Sequence, residues 1–132
     1  MSIVPCRRYM EGVFDRVDES VARHSSAVTT LYILIMDEMT IRFEWDQIKD
    51  RKNIVKHGVD FEDAGKVFSD PHVIIREDRV IEGEQRLHAI GYVDRVLLVV
   101  HTVREEGLGA IIRIISARKA TSAERKLYEE IE

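Results

Sequence analysis

The sequence predicts an α+β domain built on one twisted, mainly antiparallel sheet, with two N-terminal helices packed on it and a C-terminal helix. Three observations predict it. Thr40 to Trp45 alternates apolar and polar residues with period two, two segments after it carry helical spacing between capping residues, and four strand-like runs joined by short turns follow. The resulting order of strand, two helices, four strands and helix belongs to a layered domain with one sheet.

In the first strand, Ile41, Phe43 and Trp45 share one face. Asp46 is an N-cap, its carboxylate free to accept from first-turn N–H groups, and Gly58 supplies the left-handed residue that closes a helix over Gln47 to His57. Lys49, Lys52, Asn53 and Lys56 fall on one side of this helix and Ile48, Ile54 and Val55 on the opposite arc. The expectation is an apolar arc facing the core and a cationic ridge facing outward. Asp60 and Asp63 read as the cap of a second, shorter helix in which Phe61, Ala64, Val67 and Phe68 share a face. Burial of each phenylalanine is worth ~1.5–3 kcal/mol. Ser69-Asp70-Pro71 ends that helix, because the residue before proline is pushed toward extended geometry.

Strands are expected over His72 to Glu77, Arg86 to Tyr92, Val96 to Arg104 and Ala110 to Ala117. Short turns between them imply an antiparallel meander. Val96 to Val100 is apolar on both faces, which suits a central strand. Thr121 and Glu124 form a capping box for the last helix, where Ala123, Leu127 and Tyr128 make a partial apolar stripe.

The 132 residues suffice for one domain that buries about two thirds of its unfolded surface, so no disulfide or metal staple is needed. A net charge of −4 argues against a generally basic nucleic-acid binder, although a local cluster of cations keeps its own field over ~8 Å. Cys6, the single cysteine, rules out an internal disulfide and fits a reducing cytoplasm, where the protein is expected. Leu31 to Met36 is too short for a membrane span. His24, His57, His72, His88 and His101 show no paired ligand spacing, so neither a metal nor another cofactor is expected. Residues 1–38 form an N-terminal extension; with Met36 and Met39 standing just before the organised region it reads as sequence upstream of the natural start, the alternative being a flexible arm with a short strand around residues 29–36. The domain proper is then 39–132.

Two groups of cations are candidates for chemistry. One is the ridge of Lys49, Lys52 and Lys56, with Asn53 adding a donor and an acceptor among them. The other is the arginines near strand ends, Arg86, Arg104, Arg113 and Arg118, whose guanidinium forks suit phosphate oxygens. Each has a bland alternative: the ridge as a solvated helix face, an arginine as the structural partner of Glu82, Glu84 or a C-terminal acid. Strand alternation sets Arg113 and Ile115 on one face and Ile112 and Ile114 on the other.

Met39-Thr40-Ile41-Arg42-Phe43-Glu44-Trp45-Asp46, the Lys49, Asn53, Lys56-His57-Gly58-Val59 series, Phe61-Glu62-Asp63-Ala64, Phe68-Ser69-Asp70-Pro71, Gly83-Glu84-Gln85-Arg86, Thr102-Val103-Arg104 and Arg113 to Arg118 together resemble the BrnT toxins of bacterial type II toxin–antitoxin modules. The resemblance covers residues 39–128. It implies a RelE-like ribonuclease fold, growth-arresting cleavage of RNA, and a BrnA-like ribbon-helix-helix antitoxin that forms a hetero-oligomer with the toxin and alone contacts DNA. RNA carries its own nucleophile, the 2′-hydroxyl, so a metal-independent endoribonuclease needs only a proton carrier and cations. Within that reading Lys56 and His57 are the base or acid, and Arg86, Arg104 and Arg118 stabilise charge. Lys49, Lys52, Asn53 and Arg113 contact RNA. For His57, shaping the helix C-terminus is an equal alternative. RelE-like folds also host toxins that do not cut RNA, so the competing function is a non-catalytic binding protein or a toxin acting on a gyrase-like target. A DNA-binding regulator is weaker, for lack of a helix-turn-helix.

Overall fold

The computed structural model describes residues 3–5, 40–107 and 109–130. Its elements are β1 (Ile3–Pro5), β2 (Thr40–Glu44), α1 (Gln47–His57), α2 (Phe61–Gly65), a 3-10 turn (Lys66–Ser69), β3 (Ile74–Ile81), β4 (Glu84–Val93), β5 (Arg95–Glu106), β6 (Gly109–Lys119) and α3 (Ser122–Glu130). The strands lie in the order β1-β2-β6-β5-β4-β3. β3 to β6 form the antiparallel meander that their short turns imply, whereas β2 runs parallel to β6, so the sheet is mixed. β1 pairs antiparallel with the outer edge of β2. The strand expected at residues 29–36, Cys6, and Met36 and Met39 lie outside the described residues.

β2 and β3 stand on opposite sides of the β4–β6 strands, so the chain between them crosses one face of the sheet. That crossing supplies Val59, Phe61, Ala64, Val67 and Phe68 to a core whose floor is Ile41, Phe43, Ile75, Ala89, Val99, Ile112, Ile114 and Ala117. Phe43 and Phe68 lie 5.5 Å apart, centroid to centroid, and Trp45 meets Phe61 edge-on at 6.4 Å. His101 is fully buried edge-on against Phe68, and burial pushes its pKa down to about 3, so it is a neutral core residue. On the other face, Tyr128 of α3 packs with Ile74, Ile90 and Leu98. Asp70 ties the layers: its carboxylate accepts from the Tyr92 N–H at 2.8 Å and the Tyr128 hydroxyl at 2.6 Å.

The local signals sit where the sequence puts them. Asp46 accepts from the N–H groups of Ile48 and Lys49, Gly58 caps α1 at φ +70°, and Asp60 accepts from the Asp63 N–H. Thr121 and Glu124 exchange hydrogen bonds reciprocally at the start of α3. Ala123 is exposed and Glu124 buried, so the α3 stripe is Glu124, Leu127 and Tyr128. The strands run longer than expected, because hairpins at Glu82-Gly83 and Asp94, all with positive φ, are tight enough to extend the ladders on either side.

The orientation of α1 is a correction. Ile48, Ile54 and Val55, expected in the core, are 61%, 44% and 89% exposed, and the buried residue of the helix is Asn53. The cause is the short β2, which pairs with β6 only over Ile41–Glu44 and Ala110–Arg113. Beyond that, the edge of Ala117 turned away from β5 faces no strand, and α1 brings Asn53 there instead. Its Nδ2 donates to the Ala117 carbonyl at 2.8 Å, its Oδ1 accepts from the Ala117 N–H at 3.2 Å, and Nδ2 also donates to the Val59 carbonyl at 2.8 Å. Each unpaired buried backbone group costs ~1–3 kcal/mol, and Asn53 satisfies three of them, which offsets the partial burial that Ile48, Ile54 and Val55 give up.

Candidate functional site

The sheet face turned away from α2 is where the strand arginines gather. Alternation from the core residues Phe43, Ile112 and His101 sends Glu44, Arg113 and Thr102 to this face, and their pairings set them side by side. The β4–β5 register of Leu87 with His101 continues the row to Arg86. A second row holds Arg42, Ile111 and Arg104. Toward α3 come Ser116, Val100, His88 and Arg76, paired across β6 to β3.

Arg118 joins the same face only because the ladder is irregular. Val100 pairs with Ser116 but His101 pairs with Ile114, leaving Ile115 as an extra residue in β6. In an unbroken strand, Arg113 and Arg118, five residues apart, would point to opposite sides. The bulge resets the alternation.

Most of these arginines are already held by carboxylates. Arg104 forks onto both oxygens of Glu44, the Nη2 to Oε2 distance being 3.0 Å. This bond keeps the Glu44 carboxyl below its usual range and raises Arg104. Arg42 reaches Glu106 at 3.0 Å, and Arg113 stands 3.7 Å from Glu84. Arg118 forks onto Glu124 at 2.7 and 3.0 Å, while Arg76 takes the same carboxylate at 3.2 Å. Burial alone would raise Glu124, but the Arg118 bonds, the Thr121 backbone and the nearby charge prevail and lower it to about 2. Arg86 differs: among the described residues it has no ion-pair partner, and its Nε is buried without a hydrogen bond. A half-buried guanidinium in that condition has donors to give to an anion.

The fold therefore brings together Arg86, Arg104 and Arg113, with Arg118 on the same face but committed to Glu124. Lys49, Lys52 and Lys56 are exposed on α1, His57 is half-buried at its end, and Asn53 is withdrawn from the ridge with its polar atoms spent on backbone. The next residue, Gly58, accepts from Arg95 at 3.1 Å, which anchors the end of α1 beside the start of β5. Arg104 lies nine residues along that strand, about 30 Å at ~3.3 Å per residue. Lys56 and His57 thus stand at the far end of β5 from Arg104.

Sequence reasoning passed over three groups on the arginine face: Glu44, Thr102 and His88. His88 is two residues from Arg86 on the same face, about 7 Å along the strand. Its Nε2 lies 3.1 Å from Asp78 Oδ2, and its Nδ1 accepts from Arg76 Nε at 3.4 Å. Period-two spacing from Arg86 was the available signal. Among the described residues no three His, Cys, Asp or Glu side chains stand together as metal ligands, and no helix is long and apolar enough to cross a membrane. An open groove of about 690 Å³ between Lys66, Asp70, His72, Tyr92 and Tyr128 contains none of the expected site residues.

A face of fixed guanidinium groups, one of them unpaired among the described residues, beside a histidine held by a carboxylate, has the chemistry to hold a phosphodiester and to pass protons between the hydroxyl that attacks it and the oxygen that leaves it. A family model described as "Ribonuclease toxin, BrnT, of type II toxin-antitoxin system" matches residues 45–124. Among solved structures, the chain is similar to the 1.1 Å crystal structure of the Brucella abortus ribonuclease toxin BrnT, with 27% identity over 62% of this chain and 99% of that one, and a TM-score of 0.44. No curated protein matches.

Proposed function

This chain belongs to the BrnT family of ribonuclease toxins of type II toxin–antitoxin systems, and on that premise we propose that its arginine face binds the scissile phosphate of RNA for metal-independent cleavage. The unpaired Nε of half-buried Arg86 is the observation that carries this reading. In the proposed step the RNA 2′-oxygen attacks phosphorus and loses its proton to a base, the phosphorus–5′-oxygen bond breaks, and the departing oxygen takes up a proton. Products are a 2′,3′-cyclic phosphate and a 5′-hydroxyl. Arg86 and Arg113 fork onto the non-bridging oxygens, Arg113 exchanging its 3.7 Å contact with Glu84 for phosphate. Arg104, already extended by Glu44, stabilises the charge that develops.

His88 moves the proton: Asp78 holds its Nε2, and Nδ1 takes the proton once Arg76, which donates to it across 3.4 Å, gives up that long contact. Lys49, Lys52 and Lys56 track the RNA strand away from the reacting phosphate, and His57 accompanies them. The antitoxin that a type II module brings is, in this reading, a BrnA-like ribbon-helix-helix protein that forms a hetero-oligomer with the toxin and carries all DNA contact. A ribonuclease free in the cytoplasm would harm its host, which is the reason for such a partner. The functional unit is residues 39–132, supported by a family match beginning at residue 45 and core clusters beginning at Ile41.

The test is incubation of purified protein with total RNA in EDTA. Fragments ending in cyclic phosphate are expected, with Arg86→Lys cutting slower at near-unchanged RNA affinity and His88→Ala losing roughly 10²–10⁴ in single-turnover rate. Intact RNA in a stable complex would favour the non-catalytic alternative. Loss of rate in His57→Ala but not His88→Ala would return proton transfer to the end of α1.

A further inference from the structure

α1 carries an apolar stripe that the fold does not use. Placed at 100° per residue, Ile48 and Val55 nearly superimpose, and Ile54 completes an arc centred on Arg51, with Lys52, Lys56 and Lys49 along its flank. The helix is fastened through Asn53 on the opposite side, so these apolar groups contribute little to the core, and Val55 is 89% exposed. Every exposed charge on the helix is positive. The one acid within it, Asp50, turns inward and accepts from the Phe61 N–H at 2.8 Å, and Asp46 is spent on the first turn.

We propose that Ile48, Ile54 and Val55, with their cationic flank, dock an amphipathic, acid-bearing protein segment, which the toxin–antitoxin reading assigns to the antitoxin. Charge complementarity selects the occupant. RNA would answer the lysines but gain little from isoleucine and valine. A second copy of this chain, packed face to face, would set lysine against lysine. A segment presenting apolar residues between carboxylates satisfies both parts, in the manner of a helix laid along another helix. Docked there, it covers the lysine flank without touching Arg86.

The test uses the full chain and the antitoxin encoded with it, with affinity measured by calorimetry for wild type, Ile48→Asp, Val55→Asp and Lys52→Glu. Each aspartate is expected to weaken capture roughly 10–100-fold, the loss of one apolar anchor, with an unchanged melting temperature because both sites are exposed. Lys52→Glu is expected to weaken it less, and the difference to shrink as salt rises. Wild-type affinity in both aspartate variants would overturn this docking surface while leaving the toxin–antitoxin reading intact. So would a loss that appears in RNA binding instead, or a wild-type self-association that Val55→Asp abolishes in sedimentation. An antitoxin that fails to bind the wild-type chain at all would bring down both.

Discussion

Replacing Glu124 with glutamine tests whether the arginine face is braced by charge at its α3 end. Glu124 is 8% exposed, forks onto Arg118, meets Arg76 at 3.2 Å and accepts from the Thr121 N–H at 2.8 Å. Its carboxyl falls from an ordinary 4.5 to about 2, which corresponds to about 3 kcal/mol of preference for the charged form in the folded chain. Glutamine keeps the shape and one acceptor but loses the charge, leaving two guanidinium groups against a neutral amide. An expected loss of about 2–3 kcal/mol at neutral pH is a drop of roughly 10 °C in a chain this size. The pH signature is more specific. A carboxyl depressed in the folded state contributes fully above its unfolded value, so the wild-type contribution is present above pH 4.5 and is lost as pH falls toward 2. Denaturant titrations of both proteins at several pH values between 7 and 2 should show the gap closing as the wild-type carboxylate is protonated. A difference below about 0.5 kcal/mol at pH 7, or one that does not change with pH, would refute the reasoning.

Asn53→Ala removes three hydrogen bonds to backbone and should cost about 2–4 kcal/mol in denaturant unfolding; a stable variant with weakened RNA binding would instead restore Asn53 to the ridge. His101 is buried and lowered to about 3, so the unfolded chain binds a proton below about pH 6.5 that the folded one refuses. Stability should fall as pH drops from 6.5 toward 3, and His101→Leu should flatten that part of the profile whatever its effect at neutral pH. A chain beginning at Met39 should fold, because the described core residues begin at Ile41 and β1 adds one three-residue edge pairing. A loss beyond roughly 10 °C in thermal unfolding would make the removed segment part of the fold.

The amino-acid sequence by itself determined what depends on neighbours along the chain. Asp46, Gly58, Asp60 and the Thr121–Glu124 pair act on backbone groups within a turn of themselves, so α1 could be bounded and the starts of α2 and α3 placed without knowing the fold, whereas the change from α2 to a 3-10 turn after Gly65 could not. Tight turns likewise brought β3 to β6 into an antiparallel meander. The parallel placement of β2 beside β6, and its early end, came only from the tertiary structure. That end left Ala117, paired with Val99 on one side, without a strand partner on the other, and its unmet N–H and C=O decided that α1 would bury Asn53 and expose Val55. Hydrophobic periodicity cannot register such a demand, since it arises on a strand more than 60 residues away. The site divides in the same way. Arginine's suitability for phosphate is chemistry legible in any sequence, but the extra residue at Ile115, which sets Arg118 and Arg113 on one face, and the carboxylates that hold every neighbour but Arg86, depend on strand register. Register is fixed by packing across the whole sheet, because slipping one residue would exchange its buried and exposed faces.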